Sequence, residues 1–239
     1  MAIITGAGRG IGRATALEFA KRGTKLALLS RTEAELEDVE REIHRISGRN
    51  DDALRFVVDV SEEPAIVKTF AEVENRFGRL DILVNNAATF IRAPLTEISG
   101  DDWDHVMAVN LRGSFLCARE AFGRMKKGGC IVNVSSLAGI RGTEKFEGLS
   151  AYVASKFGVV GLTESLAVEG KSRGIRVNCV APGAVNTIML KQAAPHLQTN
   201  TQPEEIAKII VNLCDDAHSG SANGSVIEIH SNLNTVEAV

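Results

Sequence analysis

Short, almost wholly apolar runs alternate along the chain with longer runs in which apolar residues recur every three to four positions. The short runs read as strands at Ala2–Thr5, Lys25–Leu29, Leu54–Val58, Ile82–Val84, Cys130–Val134, Arg176–Val180 and Ser225–Ile229. The longer ones read as amphipathic helices at Gly10–Arg22, Thr32–Ile46, Glu63–Phe77, Trp103–Met125, Ala151–Ser172 and Pro203–Leu213. Strands that are apolar on both faces belong in a parallel sheet covered on both sides. Strict strand–helix alternation adds right-handed crossovers. The expectation is one α/β domain over residues 1–239: a doubly wound, mostly parallel seven-stranded sheet with helices on both faces. Gly and Ser cluster at Arg141–Ser150 and Ser219–Ser225, which read as loops within that domain. In such sheets ligands bind beyond the C-terminal strand ends.

Composition narrows the function. The 239 residues are 44% hydrophobic and 24% charged, the balance of an ordinary globular protein with a large core. A net charge of −3 argues against a nucleic-acid surface, which needs clustered Lys and Arg. No apolar run is long enough to span a membrane. The chain enters its first strand at once, so no leader is expected within the sequence as it stands. Cys117, Cys130, Cys179 and Cys214 are far apart and read as reduced thiols. A cytoplasmic location follows as the expectation. The five histidines lack metal-ligand spacing, so no metal is expected.

Between the first strand and first helix the chain reads Thr5-Gly6-Ala7-Gly8-Arg9-Gly10-Ile11-Gly12. Glycines let a backbone turn sharply and let a pyrophosphate approach. The helix N-terminus adds unpaired N–H groups and partial positive charge. The spacing is T-G-x-x-x-G-x-G through Thr5, Gly6, Gly10 and Gly12, not G-x-G-x-x-G. After the second strand an acid would bind the ribose 2′-hydroxyl of NAD, whereas Arg accommodates the 2′-phosphate of NADP. Here the chain reads Ser30-Arg31-Thr32, and Arg9 lies in the glycine turn itself. Two guanidiniums can fork a phosphate. NADP(H) is therefore the preferred cofactor, with NAD(H) as the alternative. Asp59 and Val60 follow the third strand; the Asp59 carboxylate could meet an adenine amino group, and a helix N-cap at Ser61 is an equally ordinary role for this turn.

Tyr152-Val153-Ala154-Ser155-Lys156 places a phenol and an ammonium four residues apart on one helical face, and Tyr152 is the chain's only tyrosine. A phenol of pKa near 10 is a poor acid or base at neutral pH. An ammonium at roughly 5 Å, at an effective dielectric of about 20, would favour the phenolate by ~3 kcal/mol, or ~2 pKa units. Upstream, Asn133-Val134-Ser135-Ser136 runs off a buried strand, where a serine can hydrogen-bond a carbonyl. Asn110 is a polar amide inside an apolar helical pattern; core hydrogen bonding would also explain it.

Taken together, TGAGRGIG, NNAA at Asn85–Ala88, Asn110, Ser136, Tyr152 with Lys156, and Pro182-Gly183 with Thr187 make the chain resemble the short-chain dehydrogenase/reductase family over nearly its full length. The resemblance implies a Rossmann-like fold and hydride transfer between the nicotinamide and a carbonyl or secondary alcohol. It makes Tyr152 the proton donor or acceptor and, with Lys156, a contact of the cofactor, Lys156 holding the nicotinamide ribose and lowering the Tyr152 pKa. It makes Ser136 the group that orients the carbonyl, chosen over Ser135 by the S-x-x-G pattern ending at Gly139. Asn110 would hold a water in a relay toward Lys156. Pro182, Gly183, Val185 and Thr187 would contact the nicotinamide end, and Asn85, Asn86, Ala87 and Ala88 the adenosine side. It also implies a homodimer or homotetramer.

Four departures from the family pattern stand out. Ala88 replaces a glycine, the loop between Ser136 and Tyr152 is longer than usual, and the segment after Thr187 is short. The C-terminal Val226–Asn232 lacks the usual V-D-G-G, which weakens the expectation of family-style tetramer packing. Phe90, Ile140, Phe146, Leu149, Met189 and Leu190 are candidates for an apolar substrate wall, with ordinary core or loop roles as the alternative. One alternative function is reduction of 3-oxoacyl groups on acyl carrier protein. Arg124, Lys126, Lys127, Lys171 and Arg173 are expected to flank the site, where they could meet an acidic carrier or serve as solvated helix-end charges. The other alternative is a non-catalytic dinucleotide-binding regulatory protein.

Overall fold

The computed structural model describes residues 1–49 and 52–231. Asn232, at the end of the C-terminal motif, lies outside them. Seven strands form one sheet: β1 (Ala2–Thr5), β2 (Leu26–Ser30), β3 (Ala53–Val57), β4 (Ile82–Asn85), β5 (Cys130–Val134), β6 (Arg176–Pro182) and β7 (Val226–Ile229). Their order is β3-β2-β1-β4-β5-β6-β7, and every pairing is parallel. Pairing partners along β1 run Ala2 to Leu26 and Ile82, then Ile4 to Leu28 and Val84. The chain reverses its winding between β1 and β4, and that is where such sheets open a crevice.

Successive strand residues point to opposite faces, and the core divides accordingly. Ala2, Ile4, Leu26, Leu28, Val84 and Val132 pack with the helices α1 (Gly10–Lys21), α2 (Glu33–Ser47) and α8 (Pro203–Leu213). Ile3, Ala27, Leu29, Leu83 and Ile131 pack with α3 (Glu63–Phe77) and α5 (Gly113–Arg124). The remaining helices are α4 (Gly100–Met107), α6 (Ser150–Lys171), α7 (Ile188–Ala193) and α9 (Asp216–Ser219).

The single helix expected over Trp103–Met125 is two helices joined by a π-helical turn. It opens at Gly100 because the Ser99 hydroxyl caps it, accepting from Asp102 N at 3.0 Å. Residues Ala108–Arg112 then form the π turn between α4 and α5. Such turns interrupt the regular ladder and often mark functional positions; Asn110 is at the centre of this one. Helices α7 and α9 were not expected from periodicity. Each is short and starts from a side-chain cap, Thr187 Oγ1 accepting from Leu190 N and Asp215 Oδ1 from Ala217 N.

Candidate active site

The turn after β1 owes its shape to three glycines. Gly6 and Gly10 have φ of 63° and 54°, a region L side chains rarely adopt. A methyl on Gly12 would stand 2.1 Å from Gly6 O, so α1 can pack against the turn only with glycine there. The N-terminus of α1 carries no side-chain cap and no acidic residue in its first turn. Its free N–H groups therefore make a cradle that suits a pyrophosphate. Thr5 lies behind the cradle, its Oγ1 accepting from Asn86 N and Ala87 N at 3.0 Å each. Asn86 Nδ2 donates to Thr5 O and Gly6 O, tying the turn to the end of β4.

A cleft of about 400 Å³ runs from this turn along the strand ends. Of the expected cofactor residues, Gly6, Arg9, Gly10, Ile11, Ser30, Arg31, Asp59, Val60, Asn86, Ala87, Ala88, Pro182, Gly183, Val185 and Thr187 line it. Thr5 and Gly12 support it from behind. Asn85 does not belong to it. Its side chain is buried in the sheet, donating to Ser114 O and to Asn133 Oδ1 at 2.9 Å, because consecutive strand residues face opposite ways. Asp59 Oδ1 accepts from Ser61 N and Oγ at 2.9 and 2.7 Å, and Arg31 lies 3.6 Å from its other oxygen. These bonds and the guanidinium outweigh burial and hold the Asp59 carboxyl below the usual range.

Ser136, Tyr152 and Lys156 meet at the other end of the cleft. The two serines after β5 diverge. Ser135 turns inward and donates to Lys156 O at 2.9 Å, whereas Ser136 caps the short turn Leu137–Gly139 with its hydroxyl on the side of the Tyr152 phenol. Gly139 admits α6 at close range; a methyl there would lie 2.5 Å from Lys156 C. Lys156 is buried and donates to Val134 O at 2.8 Å, with Nζ 5.7 Å from the centre of the Tyr152 ring.

The electrostatics differ from the sequence-based expectation. Burial holds the Tyr152 phenol above its ordinary value, and the neighbouring Ser136 hydroxyl offsets part of that rise. Burial also lowers the Lys156 ammonium to about 8. The depressed group of the pair is the lysine, because desolvation opposes charge on both side chains at once.

Asn110 stands behind the cleft wall. Its Oδ1 accepts from Thr89 N at 2.7 Å, and its Nδ2 donates to Thr89 O and Ser155 Oγ, both at 2.9 Å. It clamps the segment after β4 to α6, one residue before Lys156.

Beyond Tyr152 the cleft has walls from three segments: Phe90 after β4, Phe146 and Leu149 in the long loop, and Met189, Leu190 and Leu197 around α7. Ile140, expected with them, is not in the wall; its carbonyl accepts from Thr143 Oγ1 and Lys145 Nζ. The segments are tied together by Ala93 N donating to Gly148 O, Arg92 Nη1 to Ala193 O, and an edge-on contact of Phe146 with His196. The basic cluster does not flank this mouth. Arg124, Lys126 and Lys127 precede β5, and Lys171 and Arg173 precede β6, so all five sit at the N-terminal edge of the sheet, opposite the chain's own cleft. Periodicity also missed Gly8 and Glu35, which line the cofactor half. Among the described residues, no group of His, Cys, Asp or Glu could hold a metal, and no helix is long and apolar enough to cross a membrane.

A doubly wound sheet with a glycine-lined cradle at its switch point, and a buried phenol and ammonium beside it, is the architecture of dinucleotide-dependent oxidoreductases. Residues 1–198 match the short chain dehydrogenase family, and the chain belongs to it. It is an oxidoreductase of the kind that acts on CH–OH or C=O groups. It is 35% identical to (2S)-[(R)-hydroxy(phenyl)methyl]succinyl-CoA dehydrogenase subunit BbsD of Thauera aromatica, over 96% of this chain and 94% of that one. It is also 35% identical to 3-oxoacyl-[acyl-carrier-protein] reductase FabG of Thermotoga maritima, over 97% and 96%. Among solved structures, levodione reductase superposes with a TM-score of 0.87 at 35% identity, covering 95% of each chain. A short chain dehydrogenase from Burkholderia cenocepacia in complex with NADP gives 0.87 at 30% identity, also over 95% of each.

Proposed function

We propose that the protein is an NADP(H)-dependent oxidoreductase that interconverts a small carbonyl compound and its alcohol, with Tyr152 as the general acid and base. The observation that carries this reading is the meeting of Ser136, Tyr152 and buried Lys156 at one end of the cleft, with the Lys156 Nζ 5.7 Å from the Tyr152 ring centre. The bound nicotinamide supplies or takes up the hydride. Gly6, Gly10, Ile11 and the open N-terminus of α1 hold the pyrophosphate, Ser30, Arg31 and Arg9 the 2′-phosphate, and Asp59, Val60, Asn86, Ala87 and Ala88 the adenosine. Pro182, Gly183, Val185 and Thr187 face the nicotinamide end.

In the reducing direction the Ser136 hydroxyl donates to the substrate carbonyl and polarises it. The carbonyl carbon gains the hydride while its oxygen takes the Tyr152 proton, and the phenolate left behind is reprotonated from solvent. The Lys156 ammonium stabilises that phenolate and holds the nicotinamide ribose. The reverse oxidation uses the same groups. Asn110 acts as a positioning residue, fixing α6 through Ser155. The four unpaired thiols suit a reducing, cytoplasmic setting. Phe115 and Phe157, exposed on the outer helices, suit a homodimer or homotetramer.

A second reading, reduction of 3-oxoacyl groups on acyl carrier protein, is favoured by the similarity to the Thermotoga reductase. It requires carrier-dependent turnover that falls steeply with salt.

The test is a carbonyl panel followed through cofactor absorbance with each cofactor. Turnover with kcat/KM higher for NADPH than for NADH is expected. A preference for NADH would overturn the cofactor assignment, and no turnover with any carbonyl would favour the non-catalytic regulatory alternative.

A further inference from the structure

We infer that Glu35 sets how strongly the cleft discriminates between the two nicotinamide cofactors, opposing a ribose 2′-phosphate and accepting a free 2′-hydroxyl. The inference rests on the dinucleotide reading above and concerns the margin of the cofactor preference.

Glu35 lies in the first turn of α2, among charged neighbours, yet its side chain lines the cofactor half of the cleft. It reaches across to the glycine turn. A methyl on Gly8 would stand 2.9 Å from Glu35 Cβ, 2.7 Å from its Oε2 and 3.3 Å from Ser30 Oγ. The bare Cα of Gly8 is what leaves room for the carboxylate beside Ser30. Its Oε1 lies 3.7 Å from Arg9 Nη1, and among the described residues Arg9 is its only ion-pair partner. Arg31 faces a different carboxylate, Asp59, at 3.6 Å.

Two guanidiniums and two carboxylates thus share one patch of the mouth. Asp59 is fixed by both Ser61 bonds, which commit one of its oxygens to the β3–α3 turn. Glu35 has no such anchor, and the Arg9 pair is loose and partly exposed, so it is easily broken. A 2′-phosphate carries close to two negative charges. Held by Arg9, Ser30 and Arg31, it would either displace Glu35 or sit within roughly 6 Å of it. Repulsion across that distance in a hydrated site weakens phosphate binding by about tenfold at low salt. A ribose hydroxyl has the opposite relation, because it can donate a charge-assisted hydrogen bond to the same carboxylate. Arg31 therefore favours NADP(H), and Glu35 keeps the margin small enough for NAD(H) to bind as well.

The test is direct titration of the full-length protein with NADPH and with NADH, reading the fluorescence of the bound nucleotide, for wild type, Glu35→Gln and Glu33→Gln. Glu33 shares the same helical turn without lining the cleft, so its variant controls for overall charge and helix dipole. Glu35→Gln is expected to lower the Kd for NADPH about tenfold at low ionic strength, a gain that shrinks as salt is added, without tightening NADH. Equal changes for both nucleotides, no change for either, or the same selectivity shift in Glu33→Gln would overturn the inference. A wild type that binds NADH more tightly than NADPH would overturn the Arg31-based preference and leave the Glu35 comparison intact. A wild type that binds neither would overturn both.

Discussion

The two halves of the cleft are built from different material. The half around the glycine turn and Tyr152 is mounted on strand ends and on the long helices α1 and α6, and is backed by buried polar contacts such as Ser135 to Lys156 O and Asn110 to Ser155. The half that faces the substrate consists of loops and the six-residue α7, joined by a few bonds among Arg92, Ala93, Gly148 and Ala193. A reaction needs its groups held within fractions of an ångström, which rigid elements provide. Substrate choice tolerates, and uses, variable loops. Changes in the first half should therefore damage folding or chemistry, and changes in the second should alter substrate preference.

The largest effect is expected at the glycine turn. Gly12→Ala would push a methyl to 2.1 Å from Gly6 O and 2.5 Å from Asn86 Nδ2. A stability loss of about 3 kcal/mol is expected, with nucleotide binding abolished; urea denaturation and NADPH titration check both. An unperturbed protein would mean that the turn is looser than its contacts indicate.

The next effect concerns the buried lysine. Lys156 falls from 10.5 in the unfolded chain to about 8 in the fold, so the unfolded state binds more protons between those values. The cost of burying the charge is fully present below pH 8 and is relieved as pH rises toward 10.5. Lys156→Met removes that term. Its stability relative to wild type should therefore decline by about 2 kcal/mol between pH 7 and pH 9.5. Denaturation curves at the two pH values measure this, and a constant difference would mean that the ammonium is well solvated.

Smaller effects belong to the substrate half. Phe146→Ala should raise KM for apolar ketones about tenfold, the loss of part of an aromatic contact, while leaving the Kd for NADPH unchanged. Lys145 donates to Ile140 O and Thr143 O and lies over the Phe157 ring. Lys145→Ala should cost under about 1 kcal/mol and shift KM only a few-fold. If Phe146→Ala instead weakened cofactor binding as much as substrate binding, the division of the cleft into two halves would fail.

The same division explains what could be read from the sequence. β1 and β5 are buried on both faces and were legible without error, because apolar runs have few alternative homes; the others, including the partly exposed edge strands β3 and β7, were legible within two residues. The π turn at Ala108–Arg112 was hidden, since it carries no Pro and its apolar period continues through it. Ser135 and Ser136 are equal as residues; only the backbone path off β5 turns one toward Lys156 O and the other toward Tyr152. Asn85 and Asn86 divide in the same way at the end of β4. The basic cluster looked close to the site because it adjoins the elements that carry it. It stands a strand's length away, about 16 Å for five residues. Glu35 was indistinguishable from its solvated neighbours Glu33 and Glu37, since only the bare Cα of Gly8 shows that it faces the cleft. The Coulomb argument for Tyr152 omitted burial, which requires coordinates to see.

The central claim is that Tyr152 delivers the proton at a site whose nucleotide cradle is independent of it. The direct measurement is hydride transfer by Tyr152→Phe, with cofactor and an accepted ketone, set beside its Kd for NADPH. A fall in kcat/KM of about 10³-fold, with the Kd within twofold of wild type, is predicted. Near-normal turnover in the variant would contradict it.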